Sequence, residues 1–280
     1  MRKIHVALLG FAVAMPLSAN AADPVPQNDL LNATLWVSNS VEFKANTLSM
    51  YQLAKIRLDE AIADKTSSAT NQTDAADKPL AIIADADETL IDNGAYEIWL
   101  IKSGQDYGSK TYDAWTKAKA AKAVPGAVEF LKYADSKGVK IFYVTNRDVT
   151  QEESTRANME ALGFPMGGNV DTFLMSKEKE DWTSKKGTRR DFVSKDYRVV
   201  MMLGDNFGDF TDDASKSEPE RLASLNANMA HIGKDWIVIA NPEYGSFESA
   251  PFGHDFKKSP DERRQLKIDA MEAWGGPPAQ

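Results

Sequence analysis

The chain has 280 residues, 42% hydrophobic and 26% charged, an ordinary globular composition that excludes a fibrous or wholly disordered protein. A formal charge of -8 leaves no basic footprint for polymeric nucleic acid, and an acidic protein that handles an anion needs local cations or a metal. There is no cysteine, so neither a disulfide nor a cysteine-linked lipid is available.

At the start, Arg2 and Lys3 precede a mainly apolar run from Ile4 to Leu17, and Ala19-Asn20-Ala21 forms a small-residue cleavage pattern. This reads as an export signal over residues 1–21, leaving residues 22–280 as a periplasmic or secreted protein. The alternative is an uncleaved anchor, for which the apolar run is short. No second run is long enough to span a bilayer, so no stable membrane anchor is expected.

Residues 29–64 have apolar residues near helical spacing (Leu30, Leu31, Leu35, Val41, Ala45, Leu48, Leu53, Ile56 and Ala61), which predicts a helix. The small polar residues of 64–79 predict a surface loop. Four short apolar runs follow: Leu80–Ala84, Ile141–Val144, Val199–Leu203 and Trp236–Ala240. Helical patterns lie between them, at Ala127–Ser136 and Thr150–Leu162, with Gly138 and Gly163 placed as C-terminal caps. Strands alternating with helices predict an α/β protein, a parallel sheet covered on both faces. Residues 92–124, rich in aromatics, interrupt the rhythm and predict a small, mostly helical insert above the carboxyl ends of the strands.

Polar residues directly follow three of the runs: Asp85 and Asp87; Thr145, Asn146 and Arg147; Asp205, Asn206 and Asp209. In a parallel sheet these tips converge on one crevice. Several carboxylates close together repel one another, and a divalent cation relieves that. Oxygen-only ligands favour Mg²⁺ over zinc. At a strand end, side chains two apart can point the same way, so one carboxylate can attack while the other moves protons, a pairing suited to phosphoryl transfer. Alone, the Asp-x-Asp pair would read as a strand-end turn. The histidines carry no such pattern, and Trp36, Trp99, Trp115, Trp182 and Trp236 read as core or support.

Ile82-Ile83-Ala84-Asp85-Ala86-Asp87-Glu88-Thr89-Leu90-Ile91-Asp92-Asn93-Gly94-Ala95-Tyr96 closely resembles the first signature of the class C acid phosphatases of the haloacid dehalogenase superfamily. Gly204–Phe210 resembles the second signature, Val144–Arg147 the second loop, and Asn241–Gly245 a late family segment, in the family's order from about residue 30 to residue 256. Phe207 and Ala86 depart from the family's common residues only by apolar exchange, and the anchoring cysteine of its lipoprotein members is missing. The resemblance implies a haloacid-dehalogenase-like Rossmannoid sheet and hydrolysis of phosphomonoesters, with nucleoside 5′-monophosphates among the substrates. It implies that Asp85 is the nucleophile and Asp87 the proton donor, with best activity below neutral pH. Asp85, the Asp87 backbone carbonyl and Asp205 would hold Mg²⁺, with Asp209 binding metal waters or orienting the site. Thr145 would bond the phosphoryl oxygens, and a lysine, best matched by Lys186 with Lys185 as the alternative, would neutralise them. Otherwise the run from Lys185 to Arg190 reads as a solvated helix face. Asn146, Arg147, Tyr112 and Tyr244 would meet the substrate, the tyrosines as an aromatic clamp, with Asn93 and Tyr96 near the pocket. Two other readings share the fold: a silent storage or binding protein, and a phosphotransferase. A homodimer is compatible with the aromatic-rich surface.

Overall fold

The computed structural model describes residues 28–276, so the export signal expected over residues 1–21 lies outside the described residues. Helices α1 (Leu31–Asn39) and α2 (Val41–Ala63) lead to strand β1 (Leu80–Ala84). Strand β2 (Ile91–Asp92), helices α3 (Gly94–Ser103) and α4 (Ser109–Ala118) and strand β3 (Lys122–Ala123) come next. The chain then alternates through α5 (Ala127–Ser136), β4 (Lys140–Asp148), α6 (Glu152–Leu162), β5 (Phe173–Ser176), α7 (Gly187–Asp196), β6 (Arg198–Gly204), α8 (Glu218–Ala227) and β7 (Trp236–Val238). Two further helices, α9 (Ser246–Ser249) and α10 (Pro260–Asp269), complete it.

Five strands form one parallel sheet in the order β5-β4-β1-β6-β7. Alternate residues feed two cores. Ile82 and Ala84 of β1, with Ile141 and Tyr143 of β4, pack under α2 and α5 beside Tyr51, Leu58 and Leu131. Ala81, Ile83, Phe142 and Val144 pack on the other face beside Trp182, Val193 of α7 and Trp236. Both faces are covered, which is why these strands read as unbroken apolar runs. Between β1 and β6 the register slips by one residue after the Ala81–Val199 pair, so that Ile82 pairs with Met201. That bulge lets Val200 and Met201 both join the α2/α5 core. No helix among the described residues is long and apolar enough to cross a membrane.

Two expectations need correction. The helix expected over residues 29–64 is two helices: Ser40 is extended (φ -78°, ψ 148°) and its hydroxyl accepts the amide of Phe43 at 3.0 Å, starting α2 afresh. The apolar residues that marked it lie largely outward, since Leu31, Leu35, Val41, Leu48 and Ile56 are exposed while Thr34, Val37, Phe43, Thr47, Tyr51, Ala54 and Leu58 face inward. The inward positions include Thr34, Thr47 and Ala54, which an apolar count overlooks. The edge strand β5 was not predicted, because its apolar run, Phe173-Leu174-Met175, is only three residues long.

Residues 91–123 leave the sheet after β1. Their ends are joined by the antiparallel pairs Ile91–Ala123 and Asp92–Lys122, and α3 and α4 lie between.

Candidate active site

Strands β1, β4 and β6 are neighbours and parallel, so the loops that follow them meet at one edge of the sheet. Asp85 opens the first loop, its amide still bonded to the carbonyl of Leu203 at 3.0 Å. The chain then turns tightly, with the amides of Leu90 and Ile91 both reaching the Ala86 carbonyl at 2.9 Å. Glu88 takes a left-handed conformation (φ 57°), uncommon for a residue with a side chain. Its buried carboxylate accepts from the amide (2.8 Å) and side-chain nitrogen (3.1 Å) of Asn93, which fastens the turn against that strain.

After β6, Gly204 leaves room that a Cβ would take from the Asp209 side chain. Asn206 and Asp209 then cap one turn reciprocally. Asn206 Oδ1 accepts the Gly208 amide at 3.1 Å, and Asp209 Oδ2 accepts the Asn206 amide at 2.9 Å. Lys186 stands immediately before α7, almost wholly buried, and its ammonium donates to Asp209 Oδ1 at 2.7 Å and to Asp85 Oδ1. Lys185 is exposed, so of the two lysines the geometry selects Lys186.

Asp85, Asp205 and Asp209 each offer an oxygen within 4.8 Å of the others. One ammonium does not balance three buried carboxylates. Burial, with repulsion from Asp209 and Asp87, pushes Asp85 up to about 7 against the attraction of Lys186. Burial and the charges of Asp209 and Asp85 drive Asp205 well above the usual carboxylate range. For Lys186, burial opposes the charge but the two aspartates outweigh it, so the ammonium is retained. A hard divalent cation is what this all-oxygen donor set fits. Two more donors hold Asp205 in place: Thr89 Oγ1 on Oδ1 and Asn241 Nδ2 on Oδ2, both at 2.9 Å.

The Asp87 carboxylate is not part of that cluster. It accepts from Arg147 Nε (3.0 and 3.1 Å) and Nη2 (2.7 Å), from Tyr112 Oη (2.9 Å) and from Asn93 Nδ2 (2.7 Å), with Thr145 Oγ1 at 3.5 Å. Burial alone would raise its pKa, but Arg147 and these hydrogen bonds hold it below the usual value. The proton expected on Asp87 is therefore disfavoured in the substrate-free site. Arg147, expected at the substrate, lines the cleft that holds Asp85 and Asp87 but is only 3% exposed, and its remaining donors engage Thr155 Oγ1 at 3.0 Å and Asn93 Oδ1 at 3.2 Å. Asn146 is exposed, yet its side chain is tied to the Ser184 carbonyl (3.0 Å) and to Arg189 Nη2 (2.7 Å).

Arg189 and Arg190 overturn the reading of their run as a solvated face. Arg189 is completely buried and donates to the carbonyls of Thr145, Leu174 (3.3 Å) and Thr183 (2.7 Å). Arg190 donates to the carbonyls of Gly208 and Asp209, both at 3.2 Å. These two guanidiniums bind the backbone of the loops that carry Thr145, Lys186 and Asp209, a role that sequence spacing does not reveal.

The segment between β2 and β3 supplies an aromatic wall. The Tyr112 ring lies 5.4 Å from Tyr96 and 5.5 Å from Tyr107, and Trp115 Nε1 donates to Asn93 Oδ1 at 2.8 Å. Tyr112 and Tyr244 both line an open cleft of about 1850 Å³ that also contains Asp85, Asp87, Lys186, Asp205 and Asp209. Among the described residues no ring pair joins the two tyrosines. Trp182 and Trp236 are buried core and Trp115 is support, but Trp99 is 40% exposed.

Among solved structures the chain is similar to the class C acid phosphatase from Bacillus anthracis with tungstate bound, at 34% identity and a TM-score of 0.79, over 88% of this chain and 97% of that one. A second structure of the class C acid phosphatase from Bacillus anthracis matches at 33% identity and a TM-score of 0.78, with the same coverage. The stem 31 kDa glycoprotein of Glycine max is 24% identical over 130 residues, which span 45% of this chain and half the length of that relative. The family model for subfamily IIIB of the haloacid dehalogenase superfamily, the acid phosphatases, matches residues 12–247. With the sheet, its ordered strand tips and these matches in hand, the chain belongs to subfamily IIIB of the haloacid dehalogenase superfamily and is an acid phosphatase, a hydrolase of phosphate esters.

Proposed function

We propose that this acid phosphatase is an exported, Mg²⁺-dependent phosphomonoesterase that works through an aspartyl-phosphate on Asp85. The observation that carries this reading is the pairing at one strand tip: Asp85 bonded to Lys186, and Asp87 two residues on, bonded to Arg147, Tyr112 and Asn93. An Asp85 oxygen attacks phosphorus in line, the bond from phosphorus to the leaving oxygen breaks, and Asp87 gives that oxygen its proton. Asp87 then takes a proton from water, the water oxygen attacks phosphorus, and the bond to Asp85 breaks to release orthophosphate. Lys186 and Thr145 position and neutralise the phosphoryl oxygens, the larger part of catalysis in this chemistry. Asp85, Asp205 and the Asp87 backbone carbonyl would hold Mg²⁺, with Asp209 beside them, and the ion would neutralise further charge on the phosphoryl group.

Arg147 favours ionised Asp87 in the free site. An incoming phosphate dianion acts in the opposite sense, since a nearby like charge raises a carboxyl pKa, so the ester itself promotes the protonated form. The wide cleft and the faces of Tyr112 and Tyr244 suit a flat leaving group, and nucleoside 5′-monophosphates fit that description. Export rests on the sequence of residues 1–21.

The decisive experiment combines Asp85→Asn with chelation. The variant should stay folded by circular dichroism yet lose about 10³-fold or more of its turnover of p-nitrophenyl phosphate. EDTA should stop the wild type and Mg²⁺ restore it. Substantial activity in the variant would sink the nucleophile assignment, and indifference to EDTA would remove the metal.

A further inference from the structure

Asn241 lies three residues beyond β7, and the strand's path continues to it through the Ile239 amide, which bonds the Gly204 carbonyl at 2.8 Å. Its side chain makes three hydrogen bonds with three different purposes. Nδ2 donates to Asp205 Oδ2 at 2.9 Å and to the carbonyl of Tyr244 at 3.1 Å. Oδ1 accepts the amide of Glu243 at 2.8 Å. The orientation of the amide group follows from its partners: a carboxylate and a carbonyl can only accept, and a backbone amide can only donate. Pro242, between these partners, has a fixed φ and stiffens the turn.

Among the described residues, Asn241 and Thr89 are the hydrogen-bond donors to Asp205, each on its own oxygen. The Tyr244 backbone, which carries one ring of the substrate cleft, is held by the same amide that holds Asp205. A separate tie between the two loops, Ser246 Oγ to Asn206 Oδ1 at 2.6 Å, does not touch Asp205.

We propose that Asn241 is a positioning residue that couples the cation ligand Asp205 to the aromatic wall at Tyr244, so that metal binding and recognition of a ring on the leaving group reinforce each other. The proposal rests on the Mg²⁺-dependent reading given above. When Asp205 is fixed by a cation, its Oδ2 stays in place for Asn241, and the turn through Tyr244 is ordered. By the reciprocity of linked equilibria, a ring ordered against Tyr244 strengthens cation binding equally.

The test uses the full chain and two readouts: Mg²⁺ affinity by calorimetry on metal-free protein, and kcat/KM at saturating Mg²⁺ for phenyl phosphate against glycerol 1-phosphate. For Asn241→Ala we expect Mg²⁺ binding about 10-fold weaker, the usual effect of losing a partner behind a metal ligand, together with a reduced preference for the phenyl ester. Ser246→Ala should loosen the same loop and leave Mg²⁺ affinity within twofold of wild type. If Asn241→Ala proves unstable, Asn241→Ser keeps a short acceptor for the Glu243 amide but falls short of Asp205, and should show both effects. Unchanged Mg²⁺ affinity, or weakened affinity with the ester preference intact, overturns the coupling. A wild type that takes up no Mg²⁺ overturns the metal reading and this inference with it, so the two failures are distinguishable.

Discussion

Glu243, beside Asn241, offers a sharp physical test of the structure. It is 1% exposed, and among the described residues neither carboxylate oxygen has a hydrogen-bond partner. The Thr34 hydroxyl near it falls short of hydrogen-bond geometry, and Asp92 repels it. Burial is the chief reason its pKa rises from 4.5 to about 7. Between those two values the unfolded chain loses the proton while the folded one keeps it, so folding stability falls as pH rises through the window. A shift of that size corresponds to about 3 kcal/mol, fully lost above neutrality. For a chain of this length that is roughly 6–12 °C in Tm. Glu243→Gln keeps the shape and removes the ionisation. Scanning calorimetry in EDTA from pH 4.5 to 8 should show the two proteins melting close together at the acid end. The variant should draw ahead by about that margin at pH 8. Asp85 and Asp205 titrate alike in both proteins, whereas the Glu243 charge helps raise Glu97 and Glu88, so the difference reports Glu243 together with its pull on those two neighbours. Parallel curves across the range would refute the claim that Glu243 is buried without a partner.

Two further substitutions probe the floor of the site. Arg147→Lys replaces a paired guanidinium with one ammonium, so the pKa of Asp87 should rise and the pH–rate limb governed by Asp87 should move to higher pH, with kcat lowered about 10²-fold. An unmoved limb would separate Arg147 from the proton donor. Arg189→Ala empties a buried position that holds four backbone carbonyls and should destabilise the fold by about 3–5 kcal/mol, read as a lower midpoint in urea. A midpoint close to wild type would mean that those loops hold themselves.

How much was legible beforehand follows from where each signal originates. Leu80–Ala84 and Val199–Leu203 announced a parallel sheet because both faces of each strand are covered, which forces a continuous apolar run. Asp85, Asp87, Thr145, Asp205 and Asp209 were readable because strand tips in such a sheet must converge. The partners of Asp87 were not. Tyr112 and Arg147 reach it from 25 and 60 residues away, and nothing in their own neighbourhoods marks a carboxylate as the target. Arg189 went unassigned for a related reason: on a helix its burial depends on the carbonyls of distant loops, not on helical periodicity. The inward face of α2 was not legible because Thr47 and Ala54, both fully buried, give little apolar weight, while exposed Leu48 and Ile56 give a great deal.

The two-residue ribbon that joins Ile91 to Ala123 and Asp92 to Lys122 has an evolutionary corollary. Apart from Asn93, which holds Glu88 and Asp87, and the two aromatic residues that reach this floor, the segment between those pairs can change in length and sequence while the strands keep their register. Among the described residues, two side-chain hydrogen bonds tie helix α4 to the reacting floor: Tyr112 to Asp87 directly, and Trp115 to Asn93, which in turn holds Asp87. A lineage can therefore remodel what the cleft accepts without retuning how it cleaves. Grafting a different pair of helices onto this neck, with those two aromatic contacts retained, is a rational route to a phosphatase of altered taste.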